Sequence, residues 1–166
     1  SSRVECMAWL QFQDTITKSQ LNKSNDNGLD LQVEMFGDAG RGVVTTRDRV
    51  KGEFVVEYAG DLIKMKSARE REEQYSRDAR AGCYMYYFKH DSHQFCVDAT
   101  VESGRLGRLI NHAKDEPNLV TKVVPVDGEP RLVLYTKKDI RKGTQLNFDY
   151  GDRDAETVEA HPWLDL

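Results

Sequence analysis

Cysteine is scarce in this 166-residue chain. Cys6, Cys83 and Cys96 are odd in number and far apart, with no C-x-x-C spacing, which argues against a disulfide framework and a four-thiolate zinc site. The sequence also lacks His-x-x-His and His-Glu-x-x-His, so zinc hydrolysis is without its ligands. No serine, threonine or cysteine sits in an activated-nucleophile motif. No apolar run approaches the roughly 20 residues that span a bilayer, and the first residues lack the apolar stretch of a signal peptide. The chain therefore reads as a soluble protein of a reducing compartment, with no metal and no membrane partner. It opens on Ser1, and further sequence upstream is expected. Internal repeats are absent.

An excess of positive charge is also lacking. The net charge is −4, and residues 152–166, with five acids against one base, account for all of it. Residues 1–151 are neutral, which argues against a basic domain held on nucleic acid mainly by phosphate contacts, although local basic patches remain compatible. The length and the 39% hydrophobic fraction suit one domain with one core.

What is present is a succession of short elements. Val4, Ala8, Phe12 and Ile16 recur at helical spacing and predict an amphipathic helix from Arg3 to about Asn22, ended by a polar Asn-rich turn. Leu29, Leu31, Val33 and Met35 alternate as in a half-buried strand, and Phe54 to Tyr58 is a strand bounded by Gly52 and Gly60. Between them, residues 37–42 read as a tight turn leading into Val43-Val44. The highly charged stretch Lys66–Ala79 predicts an exposed helix. Tyr84–Phe88 and Gln94–Asp98 read as strands, Lys122–Val126 and Arg131–Tyr135 flank a hairpin turn at Asp127-Gly128, Gln145–Tyr150 is one more strand, and Asp154–Ala160 is a short helix stopped by Pro162. No regular alternation of strand and long helix occurs, so the fold class is α+β with mostly antiparallel strands rather than a doubly wound sheet.

Gly40-Arg41-Gly42 does not continue into a Walker lysine motif. Taken alone, it signals backbone geometry or close approach to a ligand, with Arg41 able to meet a carboxylate. Arg108-Leu109-Ile110-Asn111-His112 sets two polar residues directly after an apolar pair. Aromatic residues gather near these segments: Tyr58, Tyr84, Tyr86, Tyr87, Phe88, Phe148, Tyr150 and Trp163, most of which read first as core or sheet-face residues. Ring faces attract an ammonium or sulfonium, so these residues suggest a cationic ligand without specifying a reaction.

Together and in this order, Gly40-Arg41-Gly42, Gly52–Tyr58, Arg108–His112 and Leu146-Asn147-Phe148-Asp149-Tyr150-Gly151 resemble the SET domain of protein lysine methyltransferases. Gly82–Phe88, Cys96–Thr100, Arg105–His112, Asp149–Arg153 and Glu159–Leu164 are most similar to the subfamily that monomethylates lysine 20 of histone H4. The resemblance implies a SET domain over residues 28–151, with a pseudoknot threading the Asn111 segment under a loop near the C-terminus. Residues 1–27 would be an N-flanking helix and residues 152–166 a segment covering cofactor and substrate. It further implies S-adenosylmethionine as methyl donor, held by Ala39, Gly40, Arg41, Tyr84, Asn111, His112 and Trp163. The lysine channel would be lined by Tyr58, Cys83, Tyr84, Phe148 and Tyr150, with Tyr150 and Tyr58 catalytic. Trp163 and the C-terminal helix would stand where many relatives place a cysteine-rich zinc segment. The implied partners are the H4 tail and the nucleosome, approached by a monomer in nuclear chromatin. The acidic last fifteen residues would attract the basic tail. Lys137–Lys142, first read as a solvated turn, offers a weak contact to nucleosomal DNA as its second reading.

The pattern is broken in three places. Ala39 replaces a lysine, residues 115–120 carry an apparent one-residue insertion, and Phe148 stands where the monomethylating subfamily has tyrosine. Without a phenol hydroxyl there, more than one methyl transfer is expected. A nonhistone lysine substrate and a silent peptide-binding module are the alternatives.

Overall fold

The computed structural model describes residues 18–21 and 23–153. Of the N-terminal helix, residues 18–21 are helical; the rest of that expectation lies outside the described residues, as do the C-terminal helix and Trp163. Among the described residues, four small sheets make up the architecture. Strands β1 (Leu31–Met35) and β2 (Arg41–Thr45) form an antiparallel pair. β3 (Phe54–Glu57) pairs with β9 (Glu129–Thr136), which also pairs with β8 (Leu119–Val126). β4 (Asp61–Lys64), β6 (His93–Asp98) and β5 (Met85–His90) form the third sheet, with helix α1 (Met65–Ser76) following β4. β7 (Asn111–His112) and β10 (Asn147–Phe148) form the fourth, and they run parallel.

Both long hairpins follow from their turns. Asp127 and Gly128 adopt φ of 51° and 81° between β8 and β9, and Asp91 and Ser92 adopt 49° and 64° between β5 and β6. Two consecutive positive φ angles match the right-handed twist of the flanking strands. The joining segment expected over Lys89–His93 is thus only two residues long.

Several expectations need correction. Arg41 and Gly42 belong to β2; the turn is the 3-10 segment Gly37–Ala39 with Gly40 at φ 75°. Gly42 has no side chain because an added Cβ would lie 2.6 Å from the Phe36 ring and 2.7 Å from Asn111 Nδ2. β1 is an exposed edge strand rather than a half-buried one, with Met35 72% accessible. The strand expected over Gln145–Tyr150 shrinks to Asn147–Phe148, because Tyr150–Arg153 turns into a 3-10 segment.

The main core forms where the sheets converge on Ile110 and Phe148. Val43, Val55, Val56, Tyr58, Leu119, Leu132, Leu134 and Leu146 are almost completely buried there. At its edge, the buried Glu57 carboxylate accepts from Arg131 at 2.6 and 2.7 Å and from Arg105 at 3.4 Å. Arg105 Nε also donates to Asp26 Oδ1 at 3.2 Å, and Asp26 Oδ2 accepts the Leu106 N–H at 2.7 Å. This network ties residues 23–30 to the end of β3, directly before Tyr58.

Cys83 is exposed and Cys96 buried, and burial pushes the Cys96 thiol up to about 12. In a Cys6→Ser variant, a thiol reagent at pH 8 should therefore label one cysteine in the native protein and two after unfolding. Because the folded pKa lies above the unfolded one, this thiol's contribution to stability is complete below about pH 9 and declines as the pH rises toward 12. Denaturant midpoints measured across that range check the sign.

Candidate functional site

Tyr58 follows β3 and is 1% exposed. Its hydroxyl donates to the Tyr84 carbonyl at 3.0 Å. The Tyr150 hydroxyl donates to the Ile110 carbonyl at 2.5 Å, and the Tyr150 N–H donates to His112 Nδ1 at 2.9 Å. That last bond makes Nδ1 an acceptor and puts the imidazole proton on Nε2. Burial holds both phenols above the ordinary tyrosine range. Both therefore keep their protons at neutral pH, and with those protons committed to backbone carbonyls, each oxygen can still accept.

Phe148 lies between these two tyrosines, fully buried. Its ring centroid is 5.0 Å from that of Tyr150 and 6.4 Å from that of Tyr58, and Tyr86 stacks on it at 6.1 Å. One cation already stands at this aromatic cluster. The Arg153 guanidinium lies 3.7 Å over the Tyr150 ring, and its Nη1 donates to the Cys83 carbonyl at 3.1 Å. In a 3-10 segment side chains three apart eclipse one another, which places Arg153 on Tyr150. Sequence reasoning missed Arg153, although that spacing would have revealed it once the turn type was known.

The other expected residues gather beside this cluster. Ala39, Gly40 and Arg41 stand at the β1–β2 turn, and the missing Cβ of Gly42 brings β2 against Asn111. Arg41 extends to Glu102, whose carboxyl it holds below the usual range. Glu102 also stands 3.7 Å from the buried Arg108 Nη1, a nitrogen with no hydrogen-bond partner. Arg108 Nε donates to the Ala99 carbonyl at 2.7 Å, and its guanidinium lies 3.9 Å over the Tyr84 ring. Arg41, Glu102, Arg108 and Tyr84 thus form one continuous surface. No sequence signal pointed to Glu102, which sits in an irregular loop.

The Asn111 and Tyr150 segments are joined by the parallel β7–β10 ladder and by an amide clasp. The Asn118 N–H donates to Asn147 Oδ1 and the Asn147 N–H donates to Asn118 Oδ1, both at 2.9 Å. Asn118 Nδ2 donates to the Gln145 carbonyl, and Asn111 Nδ2 to Gln145 Oε1, each also at 2.9 Å. Asn118→Ala strands the Asn147 N–H and the Gln145 carbonyl. It should cost about 2–3 kcal/mol, read as a lower urea midpoint with an unchanged slope. Asn118→Asp keeps the acceptor for the Asn147 N–H but sets a carboxylate oxygen against the Gln145 carbonyl at a buried position, so it should lose at least as much at neutral pH.

With this geometry established, three comparisons bear on the chain. A SET-domain family profile matches residues 40–151. The histone-lysine N-methyltransferase Set8 of Drosophila melanogaster is 57% identical over 134 residues, covering 81% of this chain and 19% of that protein. N-lysine methyltransferase KMT5A of Xenopus tropicalis is 50% identical over 134 residues, covering 81% and 40%. Histone-lysine N-methyltransferase set-1 of Caenorhabditis elegans is 48% identical over 153 residues, covering 92% and 61%. The chain thus spans less than two thirds of the length of each of these relatives. Among solved structures, CpSET8 from Cryptosporidium superposes with a TM-score of 0.70 at 42% identity, covering 75% of this chain and 58% of that one. The ctPRC2 complex bound to S-adenosylmethionine superposes with a TM-score of 0.62 at 32% identity, covering 80% and 16%. On the family match and on a fold that joins the Asn111-His112 and Asn147–Tyr150 motifs in one site, the chain belongs to the SET-domain family.

Proposed function

We propose that this chain is the catalytic domain of a histone lysine N-methyltransferase, which transfers a methyl group from S-adenosylmethionine to lysine 20 of histone H4. It would act as a monomer on nuclear chromatin. One observation carries the reading: two phenols, the buried Tyr58 and the half-buried Tyr150, donate to fixed carbonyls on either side of an aromatic cluster that already accommodates a guanidinium.

The residues present fit the methyl donor. Its carboxylate would find Arg41 and the Nη1 of buried Arg108, which makes no hydrogen bond, its ammonium would find Glu102, and its sulfonium would find the Tyr84 and Tyr150 rings. Gly40, Asn111 and His112 would add hydrogen bonds at the same surface. Ala39 supplies only its backbone there, so one charge-assisted contact is missing. When bound, the donor supplies an already activated methyl, and the protein's task is then alignment and exclusion of water.

The lysine amine enters between Tyr58 and Tyr150, as Cys83 and Tyr84 line the approach and Arg153 gives up its place. Desolvation and neighbouring positive charge lower the amine pKa, and its proton leaves to solvent. The two phenol oxygens accept from the remaining amine N–H groups and fix the direction of the lone pair. Neither phenol serves as the base, because burial keeps both protonated.

Labelled methyl transfer to nucleosomes, to an H4-tail peptide and to that peptide without lysine 20 tests the reading. Transfer to the first two alone is expected. Equal transfer to the third points to another lysine, and no transfer to any of them leaves a peptide-binding module. Tyr150→Phe should lower kcat on the order of 10²-fold, as expected of misalignment at the reacting atoms.

Phe148 bears on the product. Lacking a hydroxyl, it anchors neither the amine nor a water where an added methyl must go. Mass spectrometry of the H4 peptide at long times should find dimethyl-lysine, with trimethyl-lysine within reach. Phe148→Tyr should stop the reaction at monomethyl-lysine, and a wild-type stop at that stage contradicts the assignment.

A further inference from the structure

Arg153 already stands where the proposed reading puts the lysine. Its guanidinium lies 3.7 Å over the Tyr150 ring, and its Nη1 donates to the Cys83 carbonyl at 3.1 Å. Burial raises the Tyr58 phenol, and the charge of Arg153 and a hydrogen bond with it work against that rise, so the guanidinium reaches both tyrosines. A ring face, a carbonyl and a phenol oxygen are the groups that an alkylammonium would also seek.

The placement is built into the turn. Tyr150–Arg153 is a 3-10 segment, in which side chains three apart eclipse one another. Its backbone is fixed by three hydrogen bonds: the Tyr150 N–H to His112 Nδ1 at 2.9 Å, the Gly151 N–H to Asp149 Oδ1 at 2.8 Å and the Asp152 N–H to the Asp149 carbonyl at 3.0 Å. Asp149 and Asp152 belong to the same turn, yet neither forms an ion pair with Arg153 among the described residues. The guanidinium is turned to the aromatic cluster in preference to both carboxylates.

We propose that Arg153 is an internal competitor of the substrate lysine, a resident cation that every lysine must displace and that sets the KM of the site. The proposal deepens the methyltransferase reading and rests on it. A guanidinium suits the role, because it stays protonated and offers no lone pair to take a methyl. Ring and cation belong to one short turn, so the competitor is present at the millimolar effective concentration of a short tether, whatever the peptide concentration. An apparent dissociation constant is the intrinsic one divided by the open fraction, so a channel filled about nine times in ten weakens every lysine peptide about tenfold. That factor is uniform, since the competition is for the lysine site and not for the residues that flank it.

Arg153→Met keeps an unbranched stem and removes the cation. With a thermal melt as the folding control, it should bind the H4-tail peptide on the order of tenfold more tightly in calorimetry. In turnover the gain should fall on KM rather than on kcat, and a shorter peptide that keeps the lysine should gain by the same factor. Ethylguanidinium, a free replacement for the lost group, should compete with the peptide for the variant and far more weakly for the wild type, whose channel is filled. Unchanged or weakened peptide binding by the variant overturns the proposal. So does a gain confined to the longer peptide, which would assign Arg153 to reading the flanking residues. If neither protein binds or methylates the peptide, the methyltransferase reading has failed, and direct ethylguanidinium binding decides: tighter binding to the variant supports an internally filled cation site, and equal binding overturns it. Should Arg153→Met melt early, Arg153→Gln takes its place with the same expectations.

Discussion

The molecule depends on two residues of strand lying parallel to two others. Asn111-His112 and Asn147–Phe148 pair in register, and this short ladder brings the candidate donor surface and the candidate lysine channel to one place. Parallel strands cannot be joined by a tight turn, and here the crossover is the β8–β9 hairpin. So short a ladder is weak alone. Its support comes from the Asn118–Asn147–Gln145–Asn111 amides and from Phe148, fully buried between aromatic neighbours. An amide network of this kind stabilises only when complete, since each buried donor or acceptor left unpaired costs more than one bond returns.

Close backbone approach is the second constraint. At Gly60 an added Cβ would lie 2.4 Å from the Asp98 carbonyl oxygen, and at Gly107 it would lie 2.3 Å from that of Glu57. These contacts press the β3–β4 connection and the Arg108 turn against their neighbours. Tyr58 sits between them, clamped further by Glu57 with Arg131 and Arg105. The orientation of its hydroxyl is therefore set by backbone packing and by a buried ion network at the preceding residue, and only finally by its bond to the Tyr84 carbonyl.

Legibility in the sequence followed the range of the interactions. The hairpin at Asp127-Gly128, strand β3 and the charged helix were readable because turn chemistry and periodicity are local. β4 was missed: Asp61-Leu62-Ile63-Lys64 is too short to show a period and runs straight into α1. Gln145–Tyr150 was over-read as a strand, since its apolar alternation continues past the point where Tyr150 turns into a 3-10 segment. The site motifs were recognisable as an ordered set, and the structure brings together those within the described residues. What the set did not contain were the partners that fix them. Glu102, Arg153 and Asn118 have roles that exist only once distant segments meet.

The β8–β9 hairpin also governs the order of events when the chain is made. Asn147 and Phe148 can find Asn111 and His112 only after the intervening residues have left the ribosome and folded back, and contacts so distant in sequence form late and slowly. A nascent chain that ends just after β9 can pair β9 with β8 and β3, but it has no Ile140, Leu146 or Phe148 to finish the main core, and no Tyr150 and no ladder. The residues that complete the core are thus the ones that complete the site, so a partly synthesised copy has neither.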